Sequence, residues 1–214
     1  MKLGIYTATF GAYDTPKSYP AGDYDVVVYT DDRSLQVSGA TVRWADFGWL
    51  PPVRKARFVK ALSHIWMSAY EATLWLDASM TIRDPAAMMF DVYRLKEQIA
   101  APLHRERNCI YQEAKICASL GIEKPFVADA VARRYREENY PEGAGLHETG
   151  TLFRVNCPEV HRFNRLWWAL IENGSHRDQL SFDFAAWKLK VPIGNLPAVD
   201  QNAWISQEKH LIPR

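Results

Sequence analysis

The run Thr73-Leu74-Trp75-Leu76-Asp77-Ala78-Ser79 is apolar and stops on a carboxylate. Short continuous apolar runs are buried strands of α/β domains, and ligands in such domains gather beyond the carboxyl ends of those strands. A carboxylate at that point has two readings. It caps the turn or helix that follows, or it holds a divalent cation through oxygen while the cation holds a diphosphate. Basic groups stand close by. Arg57, Lys60 and His64 recur at the spacing of one helix face, which meets either solvent or a phosphate.

Three further clusters could do chemistry. His104-Arg105-Glu106-Arg107-Asn108-Cys109-Ile110-Tyr111-Gln112-Glu113 is either a solvated loop and cap or a set of donors and acceptors for sugar hydroxyls. Glu142, His147 and Glu148 fall in the Gly-rich segment Pro141 to Gly150, a surface turn or a loop that closes over a substrate. Ser175-His176-Arg177-Asp178-Gln179 opens a helix. It reads as a capping box, Ser175 at N-cap and Asp178 at N3, or as a helix N-terminus facing a polar substrate.

The elements that must position these groups alternate early in the chain. Leu3 to Phe10, Tyr24 to Thr30, Thr41 to Trp44 and Thr73 to Leu76 read as strands. After Pro51-Pro52, Val53 to Ala69 reads as one helix with Phe58, Leu62, Ile65 and Trp66 inward. Asp84-Pro85 is a helix start, with Met88, Met89, Val92 and Leu95 inside. Ile99 to Leu103 and Thr151 to Val155 are further strands. Helices are expected near Tyr111 to Leu120, over Pro125 to Glu138, from Val160 to Ile171, and from Asp178 to Lys188 with Leu180, Phe184 and Trp187 inward. Val191 to Arg214 reads as irregular. Strands separated by helices imply a mainly parallel sheet with right-handed crossovers. Its first, second and fourth strands would bring Thr7 to Asp14, Asp31-Asp32 and Asp77 to Ser79 to one edge.

Composition narrows the classes. A chain of 214 residues supports one sizeable core, and a net charge of +1 gives no global field for nucleic acid or anionic membrane. The basic run Arg133-Arg134-Tyr135-Arg136 reads as a solvated helix face or a local nucleic-acid patch. Three cysteines without a CxxC spacing argue for free thiols in a reducing compartment. No apolar run is long enough to span a membrane, and the N-terminus reads directly as a strand, so a cytoplasmic location is expected. There is no GxGxxG and no GxxxxGK[ST], so any phosphate charge must be met by a cation or by Lys and Arg.

Six motifs in order carry a resemblance. They are Ile5-Tyr6-Thr7-Ala8-Thr9-Phe10-Gly11-Ala12-Tyr13-Asp14, Val28-Tyr29-Thr30-Asp31-Asp32, Arg57-x-x-Lys60-x-x-x-His64, and Leu74-Trp75-Leu76-Asp77-Ala78-Ser79. His104-x-x-Arg107-x-Cys109-x-Tyr111-x-Glu113-Ala114 and Arg177-Asp178-Gln179-Leu180-Ser181-Phe182 complete the set. Together they resemble a glycosyltransferase-like family formerly catalogued as a domain of unknown function, found in bacterial polysaccharide loci and plant Golgi proteins. The resemblance implies a GT-A-like, Rossmann-like α/β fold. It implies one domain over residues 1–214, with a nucleotide-sugar half (1–100) and an acceptor-side half (101–214). It also implies a nucleotide-diphosphate sugar donor, a UDP-sugar first, and a divalent cation, Mn²⁺ or Mg²⁺.

On that resemblance, Thr7, Tyr13 and Asp31 hold the nucleoside, Arg57 and Lys60 the diphosphate, and Arg107 the sugar. Asp77 resembles the first carboxylate of a DxD motif, and His210 is a second candidate metal ligand. The third DxD position is Ser79, so one carboxylate carries the metal. Asp178 and Gln179 resemble an Asp-Gln pair at the reaction centre, and Glu148 is the candidate general base. The acceptor could be a glycan, a small molecule, a protein or a modified nucleobase. Plant relatives have also been described as ceramidases. A hydrolase of an amide or glycosidic bond, or a non-catalytic nucleotide- or carbohydrate-binding module, are the alternatives.

Overall fold

A computed structural model describes residues 1–198 and 204–207. Seven strands form one sheet: β1 (Leu3–Thr9), β2 (Asp25–Thr30), β3 (Thr41–Trp44), β4 (Ala72–Leu76), β6 (Ile99–Pro102), β7 (Thr151–Val155) and β8 (Ile193–Leu196). Their order is β3-β2-β1-β4-β7-β6-β8. The first four in that order are parallel, β7 is antiparallel to both neighbours, and β6 pairs in parallel with β8. A separate two-stranded antiparallel ribbon joins β5 (Met80–Ile82) to β9 (Ile205–Gln207). The expected α/β class and mainly parallel mixed sheet are what the chain adopts.

Both faces of the sheet are covered, which is why its central strands are apolar without a break. Tyr6, Ala8, Val27, Tyr29 and Trp75 point into one core. Their neighbours Ile5, Val26, Val28, Leu74 and Leu76 point into the other. The first core is roofed by α1 (Pro52–Ala61), α4 (Ile110–Ser119), α5 (Pro125–Glu137), α6 (Pro158–Glu172) and α7 (Gln179–Leu189). The second lies under α3 (Pro85–Tyr93) and the ribbon. The start of α3 is as its sequence promises: Asp84 caps it by accepting from the Ala87 N–H at 3.0 Å.

Four expectations are corrected. The helix after Pro51 does not run to Ala69. It breaks at Leu62 (φ −98, ψ 44) and restarts as the single turn α2 (Ser63–Trp66). The cause is Arg154, which lies on β7 and is 1% exposed. Its guanidinium donates to the carbonyls of Lys60 and Ala61, the last of α1, and to Asn164 and the Tyr6 hydroxyl. Tyr6 Oη also donates to the Lys60 carbonyl at 2.8 Å. A buried cation thus satisfies the orphan carbonyls of a helix C-terminus. With the break, Ile65 turns outward to 54% exposure.

The last strong helix starts at Gln179, with Asp178 as N-cap residue but no side-chain cap bond. Ser175 is no cap, because its hydroxyl accepts from Arg177 N–H and donates to Glu123. Trp187, expected inward, is 40% exposed. The region after Val191 is not irregular throughout, since it supplies β8 and β9.

Arg154→Met should destabilise the fold by about 2–3 kcal/mol in urea denaturation, because buried acceptors lose a charged donor. An unchanged midpoint would mean that Arg154 is dispensable to the α1 terminus.

Candidate active site

The parallel register places three strand ends side by side. Thr9 lies opposite Thr30, and Tyr6 opposite Trp75. The loops after β1, β2 and β4 therefore share one edge of the sheet. Gly11, in the left-handed region at φ +65, turns the chain there and donates its N–H to Asp31 Oδ1 at 3.0 Å. Lys55 on α1 pairs with the same Asp31 carboxylate at 3.5 Å. Asp31 thus braces the β1 loop and ties it to α1.

Antiparallel β7 brings a fourth group to this edge. Its first residue, Thr151, pairs with Leu76, and the Gly150 carbonyl accepts the Asp77 N–H at 2.9 Å. The segment before β7 then runs along α7. Thr149 Oγ1 donates to Asp178 Oδ2 at 2.9 Å, and the His147 N–H donates to Asp183 Oδ2 at 2.9 Å.

A cavity of about 340 Å³ opens between the β1 loop, α1, the end of β4 and the α6–α7 connection. Phe10, Tyr13, Val53 and Ile122 give it an apolar side, while Arg57, Asp77 and Arg177 give it a charged one. Beneath the charged wall lies a closed ion cluster. Lys60 Nζ is 2.6 Å from Asp178 Oδ2 and 3.4 Å from Asp77 Oδ1. Arg57 Nε is 2.9 Å from Asp178 Oδ1, close as an ion pair though not aligned as a hydrogen bond. Trp75 Nε1 donates to Asp77 Oδ1 at 2.8 Å.

Burial would raise the pKa of Asp178, but Arg57 and Lys60 more than offset it and hold the carboxyl well below its usual range. Burial lowers Lys60, against the pull of Asp178 and Asp77. With two carboxylates within 3.4 Å, the proton stays on the ammonium. Arg57 is desolvated too, yet Asp178 and Asp77 hold it above its usual value.

The sequence-expected residues separate into groups. Tyr13, Arg57 and Asp77 line the cavity. Asp178 and Lys60 form the cluster beneath it, 3% and 1% exposed. Asp31 acts on the loop. Thr7 does not reach the cavity; its hydroxyl is buried without a hydrogen-bond partner. Strand alternation turns it away from Ala8, which lines the wall. Gln179 is likewise buried, its Nε2 unpartnered.

Arg107 and Glu148 belong to a second polar group. Arg107 Nε donates to Glu113 at 2.6 Å, and Arg105 Nε to Glu148 at 3.1 Å. His64, expected beside Arg57 and Lys60, is carried away by the break at Leu62. It stacks on His161, and burial drives its pKa down to about 4. His210 lies outside the described residues. Three contributors escaped the sequence reading: Arg177 as a cavity residue, Thr149 as the partner of Asp178, and Trp75 as the donor to Asp77. Arg177 had a signal in its adjacency to Asp178, and Trp75 in its i, i+2 spacing to Asp77, which puts both on one face of an extended segment, whereas Thr149 depends on where β7 lies.

The model of the TOD1/MUCI70 glycosyltransferase-like domain matches residues 41–206. The chain belongs to this glycosyltransferase-like family. The match contains Arg57, Lys60, Asp77, Arg177 and Asp178, while β1 and β2, with Tyr13 and Asp31, precede it. No curated protein matches the chain. Among the described residues of this glycosyltransferase-like domain, no helix is long and apolar enough to cross a membrane.

A divalent cation fits the described part of the site poorly. Mg²⁺ and Mn²⁺ seek about six oxygen ligands, yet no three His, Cys, Asp or Glu side chains converge among the described residues. Asp77 Oδ1 already faces an indole N–H and an ammonium. The Ser79 hydroxyl at the third DxD position is buried without a partner and adds a neutral oxygen at most.

Proposed function

We propose that the chain transfers a glycosyl group from a nucleotide-diphosphate sugar, a UDP-sugar first, to an acceptor hydroxyl. The observation that carries this reading is the cavity at the shared end of β1 and β4. Its apolar side suits a nucleobase, and the arginines of its charged side, Arg57 and Arg177, suit a diphosphate. Tyr13 and Phe10 contact the nucleoside, and the Asp31-braced loop fixes them. Arg57 meets the diphosphate and stabilises its charge as it departs. Asp77 accepts a hydroxyl of the donor. Asp178 acts from below, holding Arg57 and Lys60 in place. Glu148, paired with Arg105 at 3.1 Å in the second polar group, is the general base for the acceptor proton.

A thermal-shift screen of nucleotide sugars tests the reading, since a ligand that binds only the folded chain raises its melting temperature. One nucleotide series should stabilise the protein and lose its effect when Tyr13, which lines the cavity and lies outside the core, is replaced by Ala. No stabilisation by any nucleotide or nucleotide sugar would refute it. Asp77→Ala should cut transfer and donor hydrolysis about 10²-fold while the chain stays folded by circular dichroism. Retained turnover would remove Asp77 from the donor site.

A further inference from the structure

We propose that Arg57 and Arg177 neutralise the donor's diphosphate and that this site works without a divalent cation. The inference rests on the transfer reading above and specifies how its donor is held. Asp77, the one carboxylate of the motif, faces the Lys60 ammonium at 3.4 Å. A dication bound to Asp77 would sit beside that buried positive charge with little solvent between them. Asp178 cannot supply the missing ligand, because Arg57, Lys60 and Thr149 already engage both of its oxygens. Lys60 therefore takes the place in the charge pattern that a metal would hold. It is too deeply buried to reach a ligand itself, since it is 1% exposed and absent from the cavity wall.

The two groups that do reach the wall are arginines. Arg57 presents its guanidinium from α1, and Arg177 from the turn before α7. Arg177 forms no direct salt bridge among the described residues; it acts on Asp178 at longer range and on the Cys117 thiol, while its buried Nε has no hydrogen-bond partner. The Nε of Arg154 is unpartnered too but lies in the core away from the cavity, whereas Arg177 stands on the cavity wall, where an anion can take up its free donor. The turn that carries it is braced: Arg177 N–H donates to Ser175 Oγ at 2.9 Å, Ser175 donates to Glu123, and His176 Nδ1 is 3.1 Å from Glu123. Two fixed planar guanidinium groups suit the several oxygens of a diphosphate.

Binding of inorganic pyrophosphate and of UDP to the intact chain, followed by calorimetry in EDTA, tests this. The wild type should bind at least one of them in EDTA. Arg177→Gln should weaken that binding at least about tenfold, and Arg177→Lys should fall between the two, with all three proteins melting alike. The electron paramagnetic resonance signal of free Mn²⁺ should not shrink when protein is added to Mn²⁺ alone. Binding of neither probe in EDTA, binding that appears only with Mn²⁺ and consumes its free signal, or an Arg177→Gln affinity equal to wild type would each overturn the proposal. Metal-free binding without turnover of any nucleotide sugar would instead defeat the transfer reading and leave this one standing. Turnover that requires Mn²⁺ would do the reverse.

Discussion

Replacing Asp178 with alanine is expected to cost about 3–5 kcal/mol of folding stability, because it strands buried cations without their shared anion. Arg57 and Lys60 lie 2.9 and 2.6 Å from its two oxygens. Lys60 would keep only Asp77, at 3.4 Å, and Thr149 would lose its acceptor. Asparagine should cost less, since its amide oxygen can still accept from Thr149. The effect carries a pH signature. The folded pKa of Asp178 is depressed, so its contribution is complete above the unfolded value of about 4. It is lost as pH falls from there toward the folded pKa. Urea midpoints for the wild type should therefore decline on acidification below about pH 4, and the gap to Asp178→Ala should narrow. A constant gap down to the lowest accessible pH would mean that the carboxylate is not the source of the difference.

Arg57→Gln is expected to lower kcat/KM for the donor about 10³-fold, as removal of a preorganised charge at a departing anion does. Its side chain has two tasks, lining the cavity and pairing with Asp178. The variant should therefore also melt earlier than the wild type and lose less further stability on acidification below about pH 4, because the folded pKa of Asp178 is then less depressed. Lys60→Met should show the same stability loss and the same flattened acid response, with a smaller effect on donor affinity, because Lys60 does not reach the wall. Steady-state kinetics and acid titrations of both variants check this division. Equal loss of donor affinity in the two would contradict it.

Much of the architecture was legible in the sequence because it depends on local pattern. The apolar runs Leu3 to Phe10, Tyr24 to Thr30 and Thr73 to Leu76 announced buried parallel strands, and the strand ends do share one edge. Asp84-Pro85 announced its helix through side-chain chemistry alone. What escaped reading depends on partners distant in the chain. Nothing between Val53 and Ala69 announces a break at Leu62; the cause is a buried guanidinium more than ninety positions away. Ser175 has the spacing of a cap, but Glu123 takes its hydroxyl. Thr151 to Val155 was readable as a strand, but not as one running against β4. That direction is what delivers Thr149 to Asp178.

The candidate site shows the same division. Asp77 and Arg57 reach the cavity as their positions on a strand end and a helix face require. Lys60, one turn further along α1, is drawn under the surface by two carboxylates. Thr7 shares a motif with Tyr13 but faces the opposite core, a consequence of strand alternation that the motif alone does not display. Arg177 is the reverse case: the motif Arg177-Asp178-Gln179 drew attention to its acidic member, while the arginine is the one on the cavity wall.

The central claim is that this cavity takes a nucleotide-diphosphate sugar and passes its glycosyl group on. Release of nucleoside diphosphate from a panel of nucleotide sugars, by the wild type and by Arg57→Gln side by side, tests it most directly. The account predicts enzyme-dependent release from one donor class, rising when a hydroxyl-bearing acceptor is supplied and falling about 10³-fold in the variant. Release from no donor, or release at equal rates from the two proteins, would contradict it.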